Sequence, residues 1–359
     1  MKKVGIISMQ RIINYGSFLQ AYGLKNIIEE NTDNYVEFID YEFEKELVKK
    51  EQNKKSIFCK IKENKTLLRY LRKKKFLKEV AERYTEDLKI IGVGKNNFYP
   101  KVDAIVIGSD EVFNCTQPYP VGYSRNLFGK GYEEIDVLSY AASFGYTTYD
   151  LLKKYKIDKE VEKMLEEFKA ISVRDNNSLE VVNKLIGIEP EKNLDPVLVY
   201  DFKNEIEKYR TYEKNYIILY AYTGRLSAKE EEYIKKFAKK NNKKIISIGY
   251  FSAIAEKNII CNPLYVFSYF KNADYVITDT FHGSIFSIKM NTKFCTIIRE
   301  SNKNKLTDLL KTLGRADRMV EKLEDIDRLY NIEIDYKNTN QIIKKEQEKA
   351  INYINEYLR

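Results

Sequence analysis

The chain of 359 residues contains one histidine, His282, in the stretch DTFHGS, where the apolar run YVITD gives way to a helical pattern. A histidine at a strand-to-helix corner sets a titratable imidazole beside the backbone N–H groups that a first helical turn leaves without partners. Asp279 or Thr280 can cap that helix, and the N–H groups of Gly283 and Ser284 would complete an anion site with a proton carrier inside it. The helix terminus disfavours the imidazolium and a bound anion favours it, so the two tune its proton affinity in opposite senses. A plainer reading makes His282 a filler of the corner.

Arg174 ends the otherwise apolar KAISV in a chain where Lys far outnumbers Arg. Its planar fork suits a carboxylate or a phosphate, the alternative being an ion pair with Asp175 or a neighbouring loop. Asn14, Tyr15 and Gly16 form a tight NYGS turn that suits hydroxyl recognition, and equally a turn that needs the backbone freedom of Gly16. Asp110 follows a buried strand in GSDEVFN, as a base, an acceptor of a hydroxyl hydrogen bond, or a helix cap. IGVGK at 91–95 lacks the third glycine of a dinucleotide fingerprint, and no phosphate-binding P-loop motif occurs.

These residues sit at the ends of short apolar runs, which read as parallel strands: KVGIIS, YVEFIDYEF, DAIVIGSD, VLSYAAS and KAISVRD, then NYIILYAY, KKIISIGY, DYVITD and KFCTII. Helical patterns lie between them, among them SFLQAYGLKNIIEE, NNSLEVVNKLIG capped at Asp175 or Asn176 and ended by Gly187, and SAKEEEYIKKFAKKNN with a Ser227/Glu230 capping box. The alternation predicts an α/β chain of two Rossmann-like, doubly wound parallel-sheet domains. We expect the first over 1–198, carrying a Lys/Glu-rich helical insertion at about 44–90, and the second over 199–325. A polar linker is expected at 193–214, and an amphipathic helical tail over 326–359 packs back on the first domain. Ligands of such sheets bind beyond the carboxyl ends of the strands, where every residue singled out above lies.

Composition narrows the function. The net charge of +9 is spread over the length, and the 29 Tyr and 18 Phe are dispersed through strands and helices, so no nucleic-acid platform is expected. Four scattered cysteines without a C-x-x-C give neither a disulfide framework nor a zinc site and point to the cytosol. One histidine is too few for a histidine-based metal centre, and no carboxylate stretch has calcium-loop spacing. The N-terminal apolar run is shorter than a secretion signal, and no charge-free run approaches the ~20 residues of a membrane helix.

NYGSFLQAYGL, VIGSDEVFN, SYAASFG, ISVRD, LDPVL and VITDTFHGSIFSIKMNTKF together resemble the polysaccharide pyruvyl transferase family, in the same order from about residue 3 to about 315. The resemblance implies a GT-B-like pair of domains. It also implies transfer of the enolpyruvyl unit of phosphoenolpyruvate to sugar hydroxyls, usually as a cyclic ketal. By that resemblance His282 is the family's histidine and Arg174 its donor-binding arginine, while Asn14 and Asp110 lie on the acceptor side. Of Arg299, Lys303 and Lys305 after the last strand, Lys305 is taken as the basic donor ligand. The phosphoenolpyruvate site is thus expected at Arg174, His282, Gly283, Ser284 and Lys305, the acceptor site at Asn14, Tyr15, Gly16 and Asp110, with Asp110 as partner in proton transfer. No metal or cofactor is expected. A lipid-linked sugar acceptor would bring the Lys-rich 44–90 region to the anionic inner leaflet. A GT-B glycosyltransferase using a nucleotide sugar is the competing reading, and a non-catalytic sugar or anion binder the third.

Overall fold

The computed structural model describes residues 1–48 and 66–359. The first half is a parallel sheet in the order β2-β1-β3-β4, with β1 at Lys3–Ile7, β2 at Tyr35–Ile39, β3 at Ala104–Ile107 and β4 at Asp136–Ser139. Parallel bridges at Leu138–Ala170 and Ala142–Val173 extend it to a short pair, β5 at Ser172–Val173 and β6 at Glu191–Lys192. The second half is a six-stranded sheet in the order β12-β11-β10-β7-β8-β9. Its strands are β7 Tyr216–Tyr220, β8 Lys244–Ile248, β9 Lys257–Ile259, β10 Tyr275–Thr278, β11 Phe294–Ile297 and β12 Met319–Val320. Every strand pair is parallel, because each apolar run is separated from the next by a crossover long enough for a helix. The short strands β6, β9 and β12 carry no apolar run and were not legible in the sequence.

The local signals hold where they are strong. The helix Asn176–Ile186 is capped by the Asp175 side chain and ends at Gly187 with φ 72°. The helix Ala228–Lys240 opens on the reciprocal Ser227/Glu230 capping box. Part of the expected insertion, 49–65, lies outside the described residues; the remainder is mainly one helix, Leu67–Asp87.

The segment 193–214 corrects the expectation of a polar linker. Its first half folds as the short helix Pro196–Val199, and Val197, Leu198, Val199 and Phe202 are buried in a core cluster that runs unbroken from the first sheet to the second. The cause is in the letters: DPVLVYDF is an apolar run that the surrounding Asn, Glu and Lys obscure. The C-terminal helix Lys337–Leu358 buries Ile343, Ala350, Tyr353, Ile354 and Leu358 against that cluster. Its Tyr353 hydroxyl donates to the Ser139 carbonyl at 2.8 Å, and Asn34 donates to the Leu358 carbonyl, so the tail reaches the first sheet. Among the described residues no helix is long and apolar enough to cross a membrane.

Candidate functional site

The carboxyl ends of the two sheets face each other across a cleft of about 300 Å³. Asn14, Ser17, Asp110, Glu111 and Arg174 line it from the first half, and Tyr222, Tyr250, Phe281, His282 and Lys305 from the second. Five of the nine expected site residues, Asn14, Asp110, Arg174, His282 and Lys305, are therefore brought to one place.

His282 stands in the first turn of the helix Phe281–Lys289, just past β10. Thr280, not Asp279, is the cap. Its Oγ1 accepts from the Gly283 N–H at 2.9 Å and its carbonyl from the Ser284 N–H at 3.3 Å. This overturns the expectation of an anion site at Gly283 and Ser284, because both amides are spent inside the corner. The imidazole is buried, and its Nε2 lies 3.5 Å from Asp195 Oδ2, too long for a formed hydrogen bond, with no other partner among the described residues.

Gly16 explains how close the halves come. A Cβ there would lie 2.1 Å from His282 Cγ and Nδ1, so the N-terminus of the helix Tyr15–Asn31 is the seat of the ring. The glycine is required by this approach across the interface rather than by its own turn angle, and it does not line the cleft. Tyr15 is also reassigned: its hydroxyl donates to the Cys261 carbonyl at 2.7 Å and accepts from the Cys261 N–H at 3.1 Å, riveting the halves together outside the cleft. Asn14 caps the same helix by accepting from the Gly16 N–H while lining the cleft.

Arg174 corrects the simplest form of the donor-binding expectation. Its Nη1 donates to Asp195 at 3.0 Å and its Nη2 to Asp110 at 3.3 Å, and the guanidinium stacks on Phe281 at 4.4 Å. The fork is thus occupied by two carboxylates, neither of them Asp175, which caps a helix and binds Ser143. Burial pushes the Asp110 carboxyl up, but Arg174, His282 and the Ser17 hydroxyl outweigh it and hold it below the usual carboxylate range. For Asp195, burial is likewise outweighed, by His282, Arg174 and the Val197 N–H. Both are ionised at neutral pH. Asp110 adopts φ 80°, a left-handed backbone that costs energy in most residues other than glycine and that Asp tolerates better than most.

Lys305, in the first turn of the helix Lys303–Thr312, donates to Glu111 Oε1 at 2.6 Å. Burial works against the charge on both, yet the pairing wins, lowering the glutamate pKa and raising that of the lysine. Arg299 is engaged by Asp279 and Glu230, and Lys303 is exposed, so Lys305 is the one of the three that lines the cleft.

Sequence reasoning missed Glu111 and Asp195. Asp195 lies behind the cleft wall: fully buried, it caps the helix Pro196–Val199 through Oδ1 and presents Oδ2 to Arg174 and His282, which line the cleft. Its signal was an Asp-Pro ahead of an apolar run, inside a stretch that already carried the family resemblance. Glu111 was visible only as the neighbour of Asp110.

Residues 14–301 match the polysaccharide pyruvyl transferase family. The chain belongs to that family. A polysaccharide pyruvyl transferase is a transferase, and the match covers every residue of the cleft except Met9, Ile12, Ile13 and Lys305. No curated protein matches the chain. Among solved structures it is similar to a Methanocaldococcus jannaschii UDP-GlcNAc 2-epimerase in complex with UDP-GlcNAc and UDP, with TM-score 0.52 and 12% identity over 96% of this chain and 99% of that one. A second structure of that epimerase gives TM-score 0.50 and 13% identity over 99% of both chains. At these identities the likeness shows the fold alone, that of the GT-B enzymes. A Thermobaculum terrenum O-GlcNAc transferase mutant aligns at TM-score 0.44 and 9% identity over 98% of this chain, which spans 63% of that protein.

Proposed function

We propose that this polysaccharide pyruvyl transferase moves the enolpyruvyl unit of phosphoenolpyruvate to hydroxyls of a sugar in cell-surface polysaccharide synthesis, closing a pyruvate ketal without metal or cofactor. The observation that carries the reading is the meeting of Asp110, Arg174, His282 and Lys305 in one cleft between the halves. In the first step an acceptor hydroxyl adds to C2 of the donor while its C3 methylene gains a proton. A second hydroxyl then bonds to C2, phosphate leaves with the electrons of its C–O bond, and the released proton goes to the phosphate. His282 serves as the proton carrier for the first step, and the ionised Asp110 holds the attacking hydroxyl.

The cleft as it stands balances its cations with carboxylates, so an anionic donor must compete for them. Lys305 does this by exchanging Glu111 for the donor. Arg174 does so only by loosening one of its two aspartates. The acceptor in this reading is a sugar that a lipid can carry, met in the cytoplasm at the inner membrane face.

A thermal shift panel tests the proposal. Phosphoenolpyruvate at about 100 times its dissociation constant is expected to stabilise the protein by roughly 2.7 kcal/mol, with nucleotide sugars inert. Stabilisation by a nucleotide sugar alone would replace the reading with a GT-B glycosyltransferase.

A further inference from the structure

The helix Leu67–Asp87 lies outside both sheets and touches both halves. Its inner face buries Phe76, Val80 and Tyr84. Tyr84 donates to the Gln10 carbonyl at 3.0 Å and, more weakly, to the Asn14 carbonyl, so the helix braces the loop at the cleft. Phe76 packs on Phe251, and Arg69 pairs with Glu231 at 2.6 Å, which ties the helix to the second half.

Its outer face has no such explanation. Leu67, Leu68 and Leu71 are 52%, 59% and 50% exposed at the N-terminal end, with Leu67 and Leu71 one turn apart on a single stripe. Lys74, Lys75 and Lys78 continue that stripe and are exposed. Residues 67–78 contain six basic side chains and no acidic one; the acids of the helix begin at Glu79. Lys75 and Lys78 reach Glu79 and Glu82 only at 3.7 and 3.6 Å, from side chains that are 78% exposed, pairs too loose to neutralise them.

We infer that the first three turns of this helix are a docking face for an anionic lipid bilayer. Leucines beside lysines on a solvent-facing stripe are what an interfacial helix needs: the apolar chains enter the headgroup boundary and the lysine stems extend to the phosphates. The charge beside the leucines has one sign over residues 67–78, which suits an anionic surface. The docked helix would hold the Asn14 rim of the cleft near the membrane. That last consequence rests on the proposed lipid-carried acceptor, whereas docking itself does not.

The test is co-sedimentation of the full chain with vesicles, without donor or acceptor. The protein is expected to pellet with phosphatidylcholine vesicles containing phosphatidylglycerol, to stay in the supernatant with phosphatidylcholine alone, and to be released by salt. Replacing Lys74, Lys75 and Lys78 by Gln is expected to lower partitioning about fivefold each, on the order of a hundredfold together. Replacing Leu67, Leu68 and Leu71 by Gln is expected to lower it at least about tenfold. Melting temperature checks that each variant folds, and the lysine set, all at exposed positions, decides the matter if the leucine set does not. A wild-type chain left in the supernatant with both lipids, equal binding to neutral vesicles, or folded variants that bind like wild type would each overturn the docking face, leaving the proposed reaction untouched.

Discussion

His282 and Arg174 reach the same carboxylate from opposite halves, and substitutions at each separate chemistry from architecture. His282→Gln keeps size and hydrogen-bonding capacity but not the proton carrier. Turnover is expected to fall roughly 10² to 10⁴-fold with melting close to wild type. A corner filler would instead lose about 1 kcal/mol of stability and keep its turnover, so one purified variant assayed for both decides. Arg174→Lys replaces a two-point contact to Asp195 and Asp110 by a single point charge at a buried site. We expect a stability loss of about 1–3 kcal/mol and most of the activity gone. Donor affinity then tells which task Arg174 performs. A weakened dissociation constant for phosphoenolpyruvate means contact with the donor; an unchanged one with low kcat means that Arg174 acts by holding Asp110.

At the scale of elements, the helix Phe281–Lys289 is fixed at both ends. Its start carries His282, and its last residue, Lys289, is half-buried with Nζ turned inward to donate to the carbonyls of Leu198 and Tyr200. Burial pushes the Lys289 pKa down to about 8. The unfolded chain holds that proton until pH ~10.4, so between about pH 8 and 10 this group takes up a proton on unfolding and its contribution to stability rises with pH. Burial raises the thiols of Cys115, Cys261 and Cys295 and many tyrosines, which pulls the other way across this window, so the test is the difference: urea midpoints are expected to fall less steeply with pH for wild type than for Lys289→Met, and identical slopes would remove Lys289 from this role. Elements of this kind show what the sequence discloses. The strands β1, β3, β7 and β10 were legible because their letters are continuously apolar, and the Ser227 and Asp175 caps because capping is a local pattern. The packing of the segment after Asp195 was not, since its burial depends on the helices Tyr15–Asn31 and Lys337–Leu358, which local letters do not reveal.

For the whole molecule, the cleft and the buried residues behind it concentrate three carboxylates whose pKa values the fold lowers: Asp110, Glu111 and Asp195. In the unfolded chain such groups titrate near 4, so their contribution is present in full above about pH 5 and drains away as pH falls through 4 toward the folded values. Stability measured from pH 7 to pH 3 is expected to drop across that interval. Asp195→Asn, which keeps an oxygen for the Val197 N–H, is expected to be less stable at pH 7 and to show a shallower fall. An unchanged acid slope would mean that the site is not where the acid sensitivity resides. The pairing of Lys305 with Glu111 and of Lys192 with Asp308 at 2.9 Å joins the halves through charge as well as through the shared core. None of this was legible locally, because both partners of each pair lie in different parts of the chain.

The ring seat at Gly16 makes that position a recorder of selection. Every other amino acid brings a Cβ that overlaps the imidazole of His282, whereas a Cβ at Gly94 meets nothing within 4 Å. In a library of all twenty amino acids at each site, selected for activity, position 16 should return glycine alone, while position 94 returns a broad mixture; survivors at 16 with full turnover would show that the halves can stand further apart. Such a profile would also tell a designer which surface of this chain leaves no room for drift when a new acceptor is sought, and that surface is the helix start facing the histidine rather than the cleft wall.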